Sequence, residues 1–165
     1  MLATPFGSMQ IAVDPDGVLI ELWLPNRKRS DETRTPFTPR AREGTREVRM
    51  QLDEYFARKR RGFDLRLDPR GSRFEKIVWE RLCAIPYGTI TSYGAVADEL
   101  GLRNGARAVG RANGANRIPI VIPCHRVIGM DGTLTGYGGG LPLKRALLEL
   151  EGATPGQPEL PLLSS

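Results

Sequence analysis

Cysteine and histidine are scarce in this chain of 165 residues, which contains two cysteines and one histidine. Two cysteines are too few for a disulfide framework, and residues 1–73 contain neither residue type, which disfavours a zinc site there. The sequence also lacks an apolar run of membrane-spanning length and a basic and then apolar leader. We therefore expect a cytoplasmic protein of a reducing compartment, with neither a metal nor an organic cofactor.

Basic residues are absent from the first 25 residues, although the net charge of the chain is +5. Residues 1–25 carry three acidic residues, whereas residues 26–73 carry fifteen basic and eight acidic residues. A basic segment of this kind attracts phosphate groups. A solvated helix face explains the run Arg58-Lys59-Arg60-Arg61 equally well, so the charge alone is weak evidence for nucleic-acid binding.

The first part of the chain alternates between short apolar segments and polar connections, which predicts a small α+β domain over residues 1–71. The turn sequence Asp14-Pro15-Asp16-Gly17 separates two β-prone segments. The predicted elements are a hairpin over residues 9–13 and 18–24, a surface loop over 25–44, a helix over 45–60 and a strand at Phe63, Leu65 and Leu67.

Residues 72–152 show mainly helical patterns and predict a second domain, followed by a Pro- and Gly-rich tail over 153–165 that we expect to be disordered. Two short helices joined by a glycine-containing turn indicate a helix-turn-helix. The predicted helices begin at a Ser72–Glu75 capping box, at Thr91 or Ser92, at Gly105 and at Pro142, and the last one ends at Gly152.

Small residues dominate the surface of the helix predicted over residues 105–113. They are Gly105, Ala106, Ala108, Gly110, Ala112 and Gly114, and they surround Arg107 and Arg111. Glycine lowers helix stability, so its use here needs a reason. Small residues allow a close approach to the minor groove of DNA, and they equally allow tight packing between helices. Both explanations stay open.

The run Ile118–Ile122 is apolar and β-branched, which predicts a buried strand that ends at Pro123 and presents Cys124 and His125. Only a thiolate is a good nucleophile, and a base beside the thiol can generate it. Adjacent side chains on an extended backbone point to opposite faces, so we expect water to bridge Cys124 and His125. A carboxylate should orient the imidazole, but spacing does not identify it.

Cysteine and histidine residues often take no part in chemistry. A free cysteine usually behaves as a small buried hydrophobe, and this is our interpretation of Cys83, inside an amphipathic helix. A lone histidine is more often structural than catalytic. The adjacent Cys-His pair before a glycine-rich loop favours chemistry at Cys124.

The segment Pro123-Cys124-His125-Arg126-Val127-Ile128-Gly129 resembles the active-site signature of the O6-alkylguanine-DNA alkyltransferase family. The similarity runs from Phe74 to about Glu151 and, more loosely, through the N-terminal part. Its other motifs are Ser92-Tyr93, Ala106-Arg107-Ala108-Val109-Gly110, Asn116 and Gly136-Tyr137-Gly138-Gly139-Gly140. The resemblance implies an α+β fold: a ribonuclease H-like N-terminal domain and a mostly helical, winged-helix-like C-terminal domain.

The activity that the resemblance implies is irreversible transfer of an alkyl group from O6-alkylguanine in double-stranded DNA to Cys124, with O4-alkylthymine as a second candidate substrate. The base must first be flipped out of the helix, and Arg107 would take the vacated space in the minor groove. A thioether has no electrophilic carbonyl for water to attack, so each molecule of a monomeric protein reacts once.

The resemblance also assigns a role to each matching residue. His125 accepts the thiol proton through water, and Glu151 is the carboxylate that orients it; taken alone, Glu151 would be a solvated acid at a helix end. Tyr93 donates a hydrogen bond to the base, and Asn116 braces the active-site turn. The substrate-binding set is Tyr93, Val127, Gly138, Tyr137 and Pro119, and the DNA-binding set is Arg107, Ala106, Ala108, Gly110 and Arg126.

Three alternatives compete with this interpretation. A cysteine hydrolase would turn over repeatedly, a helix-turn-helix regulator would not need Cys124, and a non-catalytic lesion sensor normally lacks the cysteine. Within the tail, Gln157, Leu160 and Leu162 fit a short peptide pattern that binds the bacterial sliding clamp, but such patterns arise often by chance.

Overall fold

An antiparallel sheet of three strands forms the N-terminal part of the computed structural model, which describes residues 1–27 and 38–153. The strands are β1 (Leu2–Thr4), β2 (Gly7–Val13) and β3 (Leu19–Trp23), in the order β1-β2-β3. The β2–β3 pair confirms the predicted hairpin, and β1 is an additional edge strand. The Asp14 carboxylate closes the hairpin turn by accepting the Asp16 and Val18 N–H groups at 2.9 Å.

Helix α1 (Pro39–Phe56) packs against this sheet. It begins earlier than predicted because the Thr38 hydroxyl accepts the Ala41 N–H at 3.0 Å and Pro39 occupies the first turn. Residues 39–44 are therefore helical rather than part of a surface loop. The helix also ends earlier than predicted, since Arg58 adopts a positive φ of 59°.

The strand predicted at Phe63, Leu65 and Leu67 is wrong, because the segment makes only one isolated bridge, between Leu67 and Leu19. A side chain of α1 competes for its backbone groups. Gln51 accepts the Asp64 N–H at 2.9 Å and donates to the Asp64 carbonyl at 3.0 Å. A side-chain amide can satisfy the backbone in place of a strand.

Four short α-helices, as expected from the mainly helical patterns, and two strands of two residues each lie in the rest of the described chain. Ser72 and Ser92 cap the first two helices by accepting the Glu75 and Ala95 N–H groups at 3.1 Å, which confirms both predicted caps. The helices are α2 (Arg73–Cys83), α3 (Tyr93–Glu99), α4 (Ala106–Gly114) and α5 (Leu141–Leu150), and the strands are β4 (Thr91–Ser92) and β5 (Val127–Ile128), which pair in parallel.

One cluster of buried apolar side chains runs through both predicted domains. It includes Met9 and Leu52 from the N-terminal part and Val78, Ile122 and Leu147 from the C-terminal part. Burial of such side chains is the main favourable contribution to folding, so this shared cluster joins the N-terminal and C-terminal parts of the described chain. Within residues 1–27 and 38–153, no helix combines the length and hydropathy needed to cross a bilayer.

The apolar run Ile118–Ile122 is buried, but it is not the strand that we predicted. The chain folds back on itself: the Ile122 N–H donates to the Ile118 carbonyl at 2.9 Å, and Ile120 adopts a φ of 73°. A positive φ at a β-branched residue costs on the order of 1–3 kcal/mol. Asn116 offsets this cost, because its side chain accepts the Ile118 N–H and donates to the Ile122 carbonyl, both at 2.9 Å.

Candidate active site

Cys124 begins a single turn of 3₁₀ helix, Cys124–Arg126, directly after the folded turn. Its own N–H donates to the Ile122 carbonyl at 2.8 Å, so the turn and the cysteine are rigidly joined. The side chain of Cys124 is buried, with 4% of the residue exposed. Burial raises the pKa of its thiol to about 11, while a hydrogen bond from Asn116 and the positive charge of Lys144 act in the opposite direction. The thiol is therefore protonated at neutral pH and needs a base.

His125 is a completely buried imidazole with one nitrogen paired and one unpaired. Its Nε2 lies 2.8 Å from Glu151 Oε1, and Nδ1 has no hydrogen-bond partner within the described part of the chain. A carboxylate accepts a proton, so Nε2 carries the hydrogen and Nδ1 keeps its lone pair. Burial lowers the pKa of His125, and Glu151 partly restores it. Nδ1 is thus the unprotonated ring nitrogen of the residue that follows Cys124.

Glu151 caps the C-terminus of α5, but it is buried rather than solvated. Its Oε1 accepts from His125 Nε2 at 2.8 Å, from Arg126 Nη2 at 2.8 Å and from the Tyr55 hydroxyl at 2.7 Å. Its Oε2 accepts from Arg126 Nε at 2.9 Å and from the Gly88 N–H at 3.3 Å. The hydrogen bonds and charges of His125 and Arg126 hold the pKa of Glu151 well below its usual range despite the burial, so the carboxylate is ionised.

Arg126 does not lie on the surface, and the predicted DNA contact is wrong for this residue. The guanidinium donates twice to Glu151 and once to the Ile85 carbonyl at 2.6 Å, and it lies over the ring of Tyr87 at 5.7 Å. Only 6% of Arg126 is exposed. Its charge compensates a buried carboxylate and cannot reach a phosphate without leaving that carboxylate unpaired.

Helix α4 presents Arg107 to solvent, with Ala106, Ala108 and Gly110 half-buried behind it. Packing within the protein explains the glycine that precedes α4 but not the glycine at its end. A Cβ on Gly105 would lie 2.5 Å from Leu102 Cβ and 3.3 Å from Ala97 Cβ, so this glycine serves packing against α3. A Cβ on Gly114 would meet nothing within 4 Å. The Trp79 indole donates to the Ala112 carbonyl at 2.8 Å and fixes the position of α4.

A small cavity opens beside Cys124 and brings together several of the predicted site residues. Asn116, Pro119, Tyr137 and Gly138 line it, and the Tyr137 hydroxyl is a buried polar group without a partner among the described residues. Burial and the nearby Cys124 raise the pKa of Tyr137 well above its usual value. The phenol is therefore protonated and available as a hydrogen-bond donor inside the cavity.

Two residues of the N-terminal part, Leu24 and Arg27, also line this cavity, and sequence reasoning missed them. A Cβ on Gly138 would lie 3.0 Å from Arg27 Nη1, so the guanidinium lies against the glycine loop. Arg27 precedes a polar stretch without periodicity, and nothing in its spacing connects it to residue 138. Only the packing of the two parts reveals the contact.

Lys144 is a third missed residue, buried in α5 and close enough to the thiol for its charge to act on Cys124. Its Nζ donates to the Val127 carbonyl at 2.7 Å and to the Thr135 carbonyl at 2.8 Å, and it lies 6.0 Å from the ring centre of Tyr93. Burial lowers the pKa of Lys144 to about 8. One signal was available in the sequence: Lys144 and Glu151 are two helical turns apart and share a face.

We expect Lys144→Met to raise the pKa of Cys124 by about one unit, because the substitution removes the nearby positive charge that favours the thiolate. The pH dependence of the rate at which iodoacetamide modifies Cys124 measures this shift. Lys144→Gln is the matched variant, since it keeps a hydrogen-bond donor without the charge. An equal shift in both variants supports the electrostatic cause, whereas a shift in Lys144→Met alone contradicts it.

Comparison with known proteins gives consistent similarities. Residues 73–153 match the family model described as "6-O-methylguanine DNA methyltransferase, DNA binding domain". A methylated-DNA–protein-cysteine methyltransferase of Mycobacterium tuberculosis is 58% identical over 101 residues, which is 61% of this chain and only 61% of the relative. The protein of the same name from Mycolicibacterium paratuberculosis is 49% identical over 150 residues, which is 90% of this chain and 88% of the relative.

A solved structure extends the similarity to the fold. The crystal structure of Mycobacterium tuberculosis OGT in complex with DNA is 44% identical in sequence, with a TM-score of 0.81 over 92% of this chain and 90% of that chain. The superposition therefore includes the N-terminal sheet as well as the C-terminal helices, and the mixed α/β fold is common to both proteins.

Proposed function

The chain belongs to the 6-O-methylguanine DNA methyltransferase family, and from that premise we propose that it repairs DNA by moving an alkyl group from O6 of guanine to the sulfur of Cys124. The observation that carries this proposal is the arrangement around the thiol. A buried Cys124 precedes an imidazole whose Nε2 is 2.8 Å from an ionised carboxylate and whose Nδ1 is free. This arrangement activates a nucleophile without a metal or cofactor.

In the proposed reaction, His125 Nδ1 accepts the thiol proton through a bridging water. The sulfur attacks the alkyl carbon, the S–C bond forms as the C–O6 bond breaks, and the guanine leaves with the bonding electrons. Tyr93 donates a hydrogen bond that stabilises the leaving guanine anion, and the anion then takes up a proton from water. The Tyr93 oxygen accepts a hydrogen bond from the Thr135 hydroxyl at 3.0 Å, so its own O–H remains free to donate.

Substrate recognition is proposed to use backbone groups around the cavity. The Gly138 amide would donate to O6, and Tyr137 and Pro119 would enclose the alkyl group. The carbonyls of Cys124 and Val127 would accept the exocyclic amine of guanine. The Val127 carbonyl already accepts from Lys144 Nζ at 2.7 Å, but a carbonyl oxygen has a second lone pair. We keep O4-alkylthymine as a second candidate substrate; it offers an alkylated oxygen to the Gly138 amide, but its O2 carbonyl cannot donate to the Cys124 and Val127 carbonyls.

DNA binding is proposed to place the α3–α4 helix-turn-helix of a winged-helix-like domain against the minor groove. Arg107 is exposed on α4 and would fill the gap left by the flipped base, with Ala106, Ala108 and Gly110 next to the DNA. Asn116 would brace the reactive turn behind α4, which its two hydrogen bonds at 2.9 Å support. Phosphate contacts would make binding sensitive to salt.

The proposed domain organisation keeps a ribonuclease H-like domain over residues 1–71, an alkyltransferase domain over 72–152 and a tail over 153–165, in a protein that acts as a monomer. The clamp-binding pattern at Gln157, Leu160 and Leu162 lies outside the described residues.

The test is to mix the protein with a duplex that contains one O6-methylguanine and to measure the intact mass of the protein. We expect a gain of one methyl group per protein molecule, on the peptide that contains Cys124, and one lesion repaired per protein. A thioether cannot be hydrolysed, so an excess of duplex should remain unrepaired. Repeated turnover would instead favour a cysteine hydrolase, and an unchanged mass would favour a DNA-binding regulator or lesion sensor.

A further inference from the structure

Helix α1 sends one side chain into the reactive site. Tyr55 is completely buried, and its hydroxyl donates to Glu151 Oε1 at 2.7 Å across 96 residues of sequence. This residue lies outside the matched range 73–153. The same carboxylate oxygen accepts from His125 Nε2 at 2.8 Å. The N-terminal part of the chain therefore touches the group that orients the base.

We propose that Tyr55 is a positioning residue of the alkyl-transfer reaction, which acts through Glu151 on His125 and makes the N-terminal domain part of the reactive site. This inference rests on the proposed function, because His125 and Glu151 are the groups proposed there to activate Cys124. Tyr55 does not touch Cys124 or the substrate cavity, so its effect on the reaction is indirect.

The physical argument concerns where the proton between His125 and Glu151 resides. A hydrogen bond from a hydroxyl withdraws negative charge from Oε1 and stabilises the ionised carboxylate. The proton then stays on Nε2, and Nδ1 stays free to act as the base. The charged groups that face His125 are Glu151, Arg126 and Lys144, and Tyr55 faces the first two of these as well.

Packing alone does not explain the hydroxyl of Tyr55. Its ring lies 5.4 Å from the ring of Phe56, 5.3 Å from that of Phe63 and 6.2 Å from that of Tyr87, measured between centroids. These contacts hold the ring and would hold a phenylalanine equally well. The hydroxyl adds only the contact with Glu151, so Tyr55→Phe removes the proposed role and keeps the packing.

His125 is the only histidine in the chain, so its NMR signals are unambiguous. In Tyr55→Phe, Oε1 keeps more negative charge. We expect the pKa of His125 to rise and the Nε2–H resonance to move downfield. Tyr87→Phe is the matched control, because it removes a hydroxyl from the same cluster that donates to the Leu150 carbonyl at 3.3 Å and not to the carboxylate. Its His125 signals should stay at the wild-type values.

A second measurement does not depend on the folding of the variant. Replacing the four tyrosines of the wild-type protein with 3-fluorotyrosine makes each phenol a stronger donor, so the pKa of His125 should fall. Identical His125 signals in wild type, Tyr55→Phe and the fluorinated protein would overturn the proposal, as would equal shifts in Tyr55→Phe and Tyr87→Phe. These titrations need no DNA. A wild-type protein that takes no methyl group from DNA would therefore overturn the proposed function while leaving this coupling measurable.

Discussion

Cys124→Ser is expected to abolish methyl transfer completely, with no mass gain after incubation with the O6-methylguanine duplex. A serine hydroxyl ionises far less readily than a thiol and is a much weaker nucleophile. The relay of His125 and Glu151 can lower the barrier for a thiol, but it cannot supply the polarisability of sulfur. The folded turn should persist, because the contacts that hold it are made by the backbone and by Asn116.

Cys83→Ser is the matched control for this loss, since Cys83 is the other cysteine of the chain and is exposed at the end of α2. We interpreted Cys83 as a buried, inert hydrophobe, and its exposure corrects that expectation. Its replacement should leave the mass gain and the repair stoichiometry unchanged. Methyl transfer that survives in Cys124→Ser, or is lost in Cys83→Ser, would contradict the assignment of the acceptor.

Glu151→Gln should reduce both stability and reactivity. The carboxylate is the partner of the buried Arg126 guanidinium, and an uncompensated buried charge costs about 3–5 kcal/mol of the free energy of unfolding. The variant also loses the negative charge that orients His125, so the rate of methyl transfer should fall by about 100-fold. Urea unfolding at pH 7 measures the first effect, and single-turnover repair measures the second.

The stability that is lost in Glu151→Gln should depend on pH. The pKa of Glu151 is lowered in the folded protein, whereas in the unfolded chain it is about 4.3. Its stabilising contribution is therefore complete above that value and is lost as the pH falls through the lower folded pKa. The stability difference between wild type and Glu151→Gln should shrink below about pH 4. Glu149→Gln, an exposed position on the same helix, should match the wild type throughout; equal losses in both variants would argue against a special role for Glu151.

Local chemistry in the sequence was enough to predict much of the site. Ser72, and Thr91 or Ser92, were predicted as helix caps because a hydroxyl before a helix satisfies free N–H groups of the first turn, and the structure shows that Ser72 and Ser92 are the caps. The family resemblance assigned Asn116 to bracing the active-site turn, and its side chain makes hydrogen bonds of 2.9 Å to the backbone of residues 118 and 122. The Cys124-His125 pair was identified from its composition and position. Each of these features involves residues within a few positions of one another.

Distant contacts explain the errors and omissions. Residues 118–122 had the composition of a strand, but the Asn116 side chain took the backbone groups that a neighbouring strand would have used. Arg126 was expected at the surface, and the carboxylate that buries it lies 25 residues away. Lys144 donates to two carbonyl groups of other segments. A helical pattern in the sequence does not show that those carbonyls need a donor.

The amino-acid sequence by itself indicated the Cys124-His125 pair as the candidate reactive pair, the positions of the helix caps to within a residue, and the family. Only the tertiary structure decided what surrounds the thiol: Leu24 and Arg27 beside the cavity, Tyr55 on Glu151, and Arg126 buried rather than exposed. The reason is that periodicity and capping report interactions along one segment. A buried charge or hydroxyl is satisfied by whichever segment packs against it, and that choice depends on the whole core.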